Sequence, residues 1–544
     1  MKNTALILLA CALPVLLFSA GKDKNKDKPG TGIIFSSNSS EDNKGKSKNK
    51  GEDEGDLTIQ NIFASGKYYP KAKTGLTMLK NGNYCVEDYD AVNKAYLIIE
   101  YNFNQAASVD TLFNQAIVYD QLPKDFSLEN FQISANKKYI LLQTATKSIY
   151  RHSKKAVYYI YSIAKHKLKK VNKEQEVFYA TFSPDENKVA YVFDNNIYIQ
   201  YFLFGDSTVK VTKDGLLNNV LNGKTDWVYE EEFAMSQGYE WSPEGDKIVY
   251  YRFDESKVKM YQMEYYDSLY PQIYKYKYPV AGEDNSKVSV WVYDLNTNIK
   301  RKLDLHEEND QYIPRIMWTK DNNTLAVEWL NRQQNDFKLI EASGPTWKPR
   351  TVLNEIDKDY VEITDNLYFF KDNSFMITSS KGGFNNIYVH DAGGKELRNV
   401  TPYNFDVENI LGFDDSANVI YYSAKEPNPR TSTVFQVNLD GSGKKTLNDD
   451  EKGSNSVEFA ADFKHYVMTS SFGRFWKYGL TPRTVCVLPF ASKTGLKYSS
   501  ILVTLSGLVD AGSIIPKVLQ KPVNACGIGR AVYWSAQMVN PVLF

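Results

Sequence analysis

Two stretches decide the fold: Phe182-Ser183-Pro184-Asp185-Glu186-Asn187-Lys188-Val189-Ala190-Tyr191-Val192 and Trp241-Ser242-Pro243-Glu244-Gly245-Asp246-Lys247-Ile248-Val249-Tyr250-Tyr251. Each joins an aromatic residue, a tight polar turn and a run of apolar, β-branched or aromatic residues. Proline presets φ at the start of the turn, and Asp, Asn or Gly supplies the reversal. The run that follows suits the interior of a sheet. Weaker copies start at Trp318-Thr319-Lys320-Asp321 and Phe370-Lys371-Asp372-Asn373. Others lie near Phe131, Phe413 and Phe459, with a divergent first copy near Met78-Leu79-Lys80-Asn81-Gly82. The copies recur about every 40–75 residues, a period that fits a propeller or solenoid. Short, numerous strands favour four-stranded blades around a channel. The eight units predict an all-β fold, an eight-bladed β-propeller over residues 57–471. A row of β-sandwiches is the alternative; amphipathic helical repeats are too rare for an α-solenoid.

The flanks read differently. Lys2 precedes the apolar run Ala5–Phe18, and Ser19-Ala20-Gly21 offers small residues for cleavage. Residues 1–21 therefore predict a signal peptide and an exported product: periplasmic, at the cell surface or secreted. An uncleaved anchor is the alternative, and Cys11 sits too deep in the apolar run for a good lipidation site. Residues 22–56 are charged and polar with almost no aromatics, which predicts a disordered linker. From Phe472 to Phe544 the only acidic residue is Asp510. This atypical tail, 472–544, reads as a shifted reading frame in preference to a domain boundary, and would leave the last blade incomplete.

The whole chain has 544 residues with Lys+Arg 65 against Asp+Glu 65, so no net charge favours nucleic acid as a partner. The four cysteines, Cys11, Cys85, Cys486 and Cys526, lack zinc spacing. Cys11 falls in the expected signal peptide, and one disulfide is open to the other three, without a preferred pair. No phosphate-cradling Gly-x-x-x-x-Gly-Lys-Ser/Thr loop and no His-Glu-x-x-His motif occurs. No cofactor and no metal is expected.

The most informative string is Asp226-Trp227-Val228-Tyr229-Glu230-Glu231-Glu232-Phe233. Three consecutive carboxylates repel one another unless water or a cation offsets them. A solvated acidic turn is the ordinary reading. The flanking aromatics and the position between two repeats point instead to a short helix projecting from a blade edge toward a cavity.

This string resembles the double-glutamate motif of the dipeptidyl peptidase IV family. Leu57-Thr58-Ile59 through Gly66-Lys67 is similar to the family's opening segment, and Tyr150-Arg151-His152-Ser153 to the segment carrying its substrate-contacting arginine. Gly383-Phe384-Asn385-Asn386-Ile387-Tyr388 resembles a blade motif of these peptidases. The resemblance spans roughly residues 57–470. It implies that Glu231 and Glu232 bind the free α-ammonium of a peptide, while Arg151 holds the carbonyl of the second residue and balances the local charge. A plain ion pair between Arg151 and a blade-edge acid is the structural alternative. Tyr368 matches the same site more loosely, and His152 reads as a packing or hydrogen-bonding residue. The implied partners are peptides with a free N-terminus, Xaa-Pro or Xaa-Ala first, and a second copy of the chain as a homodimer.

The family cuts with a Ser–Asp–His triad on an α/β-hydrolase domain after the propeller, which needs a Gly-x-Ser-x-Gly elbow. No such elbow occurs here: Gly441-Ser442-Gly443 lacks the spacing, and no histidine follows His465. The sequence thus offers no catalytic residues, and the chain as it stands is not expected to cut peptides. A non-catalytic exported propeller that captures peptide N-termini, or a scaffold for protein contacts, is the competing reading.

Overall fold

A computed structural model of the chain describes residues 58–64 and 74–472, apart from short breaks at 105–107, 174, 204–205, 306–309 and 448–452, together with the strands Phe475–Thr481 and Leu488–Pro489. The expected signal peptide, the linker and most of the tail lie outside the described residues. The chain divides into a main unit, Gly55–Tyr261 with Tyr276–Phe544, and a second unit that includes the hairpin tip Gln262–Lys275. No helix among the described residues is long and apolar enough to cross a membrane.

The regular structure is almost all β. Among the described residues the strands fall into eight consecutive antiparallel groups, at 74–114, 130–171, 177–210, 220–302, 311–356, 367–399, 407–446 and 454–489. The second and third groups also meet edge to edge, through Lys155↔Phe178 and Ala156↔Val177. Each turn found by its sequence copy lies at the junction of the first and second strands of one group.

Three of the turns share one hydrogen-bond scheme. Ser183 N donates to Lys188 O (3.0 Å), Glu186 N to Ser183 O (2.8 Å), and Lys188 N to Ser183 Oγ (3.1 Å). Ser134 and Ser242 repeat it, with Tyr139 N and Lys247 N each 3.0 Å from the serine Oγ. The serine hydroxyl thus stands in for a missing ladder partner. The residue three places on is left-handed in each: φ is 57° at Lys137, 61° at Glu186 and 71° at Gly245. At Gly245 a side chain would also crowd Pro184 Cδ of the preceding turn, 3.1 Å from a Cβ. Glycine is the residue that fits there.

In several groups the strand after the turn is buried on both faces. Lys188–Phe193, Thr324–Asn331, Phe375–Ser379 and Val419–Ala424 are buried along nearly their whole length. A strand covered on both sides carries a continuous apolar run, not an alternating one.

Each group therefore needs a neighbour on each face, and the apolar clusters supply them in order. Phe113 and Ile98 of the first group pack with Ile140 and Tyr161 of the second. Further clusters join the second group to the third, the third to the fourth, the fourth to the fifth, the fifth to the sixth, the sixth to the seventh and the seventh to the eighth. A last cluster joins Ala460 and Val467 of the eighth group to Tyr84, Val86 and Phe103, which brings the chain back to its first group. Phe103 also stacks on His465 at 5.0 Å.

The sequence reading ends the strand pattern at residue 471, and the structure differs. Phe475–Thr481 pairs with Tyr466–Phe472 from Phe472↔Phe475 to Tyr466↔Thr481, and Leu488–Pro489 adds a short fourth strand. The eighth group is thus four-stranded. The segment's loss of acidic residues hid a stretch, Phe475-Trp476-Lys477-Tyr478, whose aromatic content favours a strand. Cys85 is buried and free. Burial, set mainly against a hydrogen bond from Thr77, pushes its thiol up to about 12, where it stays protonated and inert.

If the eighth and first groups share one core, Tyr84→Ala costs about 3–5 kcal/mol of stability, the usual loss for a buried aromatic side chain. Urea unfolding measures it. A loss below about 1 kcal/mol, as for an ordinary surface site, would show that this interface does not close.

Candidate functional site

The site grows from an interruption in the fourth group. Val220–Asn222 and Tyr239–Trp241 both pair with the same side of Lys247–Asp254, so one strand position is filled in two pieces. The chain between them leaves the sheet. Two glycines make the exit possible. Gly223 N donates to Tyr251 O (3.0 Å), Gly238 N to Gly223 O (2.9 Å) and Tyr251 N to Gly238 O (2.9 Å). Gly223 has φ 72°, and a Cβ there would lie 2.5 Å from Ile197 Cγ1.

The excursion carries the helix Trp227–Glu232 (α1). Asp226 caps it, accepting from Tyr229 N (2.9 Å) and from Ser286 Oγ (2.6 Å). Burial raises the Asp226 carboxyl above its ordinary range, against the pull of those hydrogen bonds. Tyr229 anchors the helix from below: its buried hydroxyl accepts from Ile313 N (2.8 Å), while Tyr251 OH donates to Ile313 O (3.0 Å). Trp227 packs edge-on to Tyr278 at 4.6 Å, beside Tyr276, which also neighbours Tyr150.

Successive helical residues point about 100° apart, so the three glutamates face different surroundings. Glu230 is buried, and its Oε1 accepts from the backbone N–H groups of His152 (2.8 Å) and Ser153 (2.7 Å). Glu231 turns sideways, and its Oε2 accepts from Arg151 Nε at 2.8 Å. Glu232 is exposed. The Glu231 side chain is 15% exposed and that of Arg151 71%.

Magnitudes decide which contact positions the arginine. An exposed ion pair contributes about 0.2–1 kcal/mol. Hydrogen bonds to a charged group contribute about 1.5–3 kcal/mol each, and Glu230 accepts two. Glu230 therefore fixes the loop, and the loop delivers Arg151 to Glu231.

Below the helix lie further charges. Burial lowers the Lys224 ammonium, opposed by the carboxylates of Glu255, Glu230 and Asp194, and its Nζ lies 5.0 Å from the Phe178 ring. Glu255 is pushed up to about 7, by burial first and then by Asp226.

Of the three residues the sequence singles out, the structure pairs Arg151 with Glu231, while Glu232, next along the helix, is exposed and has no described contact with either. Tyr368 lies in the strand Leu367–Phe369, with Phe370, Phe413 and the Lys320 ammonium as its ring neighbours. His152 contributes a backbone N–H, and its side chain is exposed. Sequence reasoning missed Glu230 as the anchor, and Ser286 and Ile313 as supports of the helix. The pattern Glu-Glu-Glu gave no sign of which carboxylate turns inward, although Tyr229 and Phe233 mark the buried side of the same helix. Among the described residues, no three His, Cys, Asp or Glu side chains are grouped to hold a metal ion.

Residues 134–472 match the model of the dipeptidyl peptidase IV N-terminal region, and the chain belongs to that family. It is 29% identical over 356 residues to the venom dipeptidyl peptidase 4 of Vespula vulgaris, covering 61% of this chain and 45% of that protein. It is 28% identical over 345 residues to the inactive dipeptidyl peptidase 10 of Rattus norvegicus, covering 58% and 42%. The chain thus spans under half the length of these curated relatives. Among solved structures, dipeptidyl peptidase 4 of Porphyromonas gingivalis superposes with a TM-score of 0.71 at 35% identity, covering 78% of this chain and 60% of that one.

Glu230→Ala should leave the His152 and Ser153 amides without an acceptor. Their hydrogen exchange is expected to rise about tenfold or more, as the loss of about 1.5 kcal/mol or more implies, while core amides such as Ile248 keep their protection. Unchanged exchange at both amides would remove Glu230 from its anchoring role.

Proposed function

We propose that this chain is the eight-bladed propeller and peptide-recognition portion of a dipeptidyl peptidase IV-type serine exopeptidase, and that it binds the free N-terminus of peptides. The blade count is supported by the cycle of apolar clusters that runs from the first strand group through the eighth and back. The binding role rests on one observation above all: Glu231 and Glu232 are consecutive on a helix whose Glu230 pins the loop that pairs Arg151 with Glu231. An α-ammonium has three N–H donors. Glu231 has one described partner, Arg151, and Glu232 has none among the described residues, so their carboxylates have acceptor capacity to give.

Arg151 tempers the repulsion between the two carboxylates and offers its remaining N–H groups to a peptide carbonyl. Holding the amine at a fixed place sets how far the chain reaches, which is how such a site counts residues from the N-terminus. Removal of N-terminal dipeptides, with proline or alanine second, is the activity proposed for the whole protein by likeness to its family. A scaffold role would require none of this charge arrangement.

Calorimetry with a free-amine tripeptide such as Gly-Pro-Ala tests the reading. Glu231→Ala and Glu232→Ala are each expected to weaken binding by about ten- to a hundredfold, the equivalent of 1.5–3 kcal/mol. An N-acetylated tripeptide should not bind to the unaltered protein. Equal binding of the acetylated peptide would overturn the proposal.

We further propose that the chain dimerises through the hairpin Met260–Tyr265 and Gln272–Lys277. Tyr266, Leu269, Tyr270 and Ile273 are exposed there, an apolar surface of the kind a partner covers. Light scattering should report a dimer for the unaltered protein and a monomer once residues 266–271 are replaced by a short Gly-Ser turn; a monomer in both would refute this surface.

A further inference from the structure

Lys444 occupies an unusual place for a lysine. Its Nζ lies 4.0 Å from the ring centre of Tyr403, 4.4 Å from that of Phe405 and 4.6 Å from that of Phe435. It also meets Glu426 Oε2 at 2.5 Å. Tyr403 and Phe405 stack at 5.2 Å with an interplanar angle of 17°, and Phe405 and Phe435 are nearly parallel at 16°. One ammonium thus faces three π-systems and one carboxylate, the combination that recognises alkylammonium ions. An ordinary surface ion pair has the carboxylate alone. The Lys444 side chain is 20% exposed, so the cage opens to solvent on one side.

The strand that follows explains what the cage accomplishes. Lys445–Thr446 is the outer strand of the seventh group, and it has only two ladder positions, Phe435↔Thr446 and Gln436↔Lys445. A strand that short is weakly held by its backbone. Yet the next residue, Leu447, donates its N–H to Val434 O (2.9 Å) and packs against the cluster of Val434, Val457, Tyr466 and Met468 that joins the seventh group to the eighth.

We propose that Tyr403, Phe405, Phe435 and Glu426 form a binding site for a primary alkylammonium, that Lys444 is its resident ligand, and that this capture latches the outer strand against the eighth group. The site is independent of the peptide-binding reading, and its ligand class follows from its walls. The rings favour a compact cation with an alkyl stem, and the single carboxylate matches one positive charge.

Chemical rescue of the full chain tests this. Lys444→Ala should melt a few degrees lower, and exchange of the Leu447 amide should speed up. Adding n-butylammonium chloride at about 50 mM should restore at least half of the lost melting temperature, because the ion binds the folded state alone. Sodium chloride and n-butanol at the same concentration should not, and the unaltered protein should not respond because its cage is filled. Lys444→Gln keeps most of the length without the charge and should behave like Lys444→Ala in the amide readout even if the alanine variant folds poorly. An unchanged melting temperature and Leu447 exchange in both variants, or rescue by n-butanol equal to that by n-butylammonium, overturns the proposal.

Discussion

A sheet with apolar residues on both faces has to be covered twice, and the rest of this structure depends on that constraint. The second strand of a group, such as Thr324–Asn331, is buried on both sides. No group can satisfy itself, and a linear row would leave two faces wet. The cluster of Tyr84, Val86, Phe103, Ala460 and Val467 brings the last group back to the first and removes both exposed faces at once. Stability is then shared among many modest interfaces, and a weak link anywhere matters. The two-residue outer strand at Lys445–Thr446 is such a link, and the Lys444 cage lies at that point.

Repetition also sets where function can be placed. In the other seven groups the first strand is one piece, in several with a bulge, whereas the fourth divides it between Val220–Asn222 and Tyr239–Trp241. The helix leaves the sheet through that gap, with Gly223 and Gly238 closing the backbone behind it. The rigid frame then determines the local electrostatics. Three adjacent carboxylates would repel one another in a flexible loop. On a capped helical turn they diverge, one to backbone donors, one to a guanidinium and one to solvent.

Much of this was legible in the residues. The turn units at Ser183 and Ser242 carry their own hydrogen-bond logic within six residues, so local sequence suffices to find them. The same holds for the short helix at Trp227–Glu232, where Asp226 is a good cap and Tyr229 and Phe233 fall on one side. The roles of Glu230 and Lys444 were not legible, because their partners lie far away in sequence: Glu230 meets residues 77 and 78 positions earlier. The strand Phe475–Thr481 was missed because a shift in composition was read as an end to the fold, although the preceding strand still needed a partner along its edge.

The central claim is that Glu231 and Glu232 hold a peptide's free amine beside Arg151. The most direct measurement is a crystal structure of the protein soaked with a free-amine tripeptide. The account predicts the ammonium nitrogen within about 3 Å of carboxylate oxygens from both glutamates, with an Arg151 N–H turned to a peptide carbonyl. Peptide density elsewhere, or an ammonium with neither glutamate in reach at saturating peptide, would contradict it.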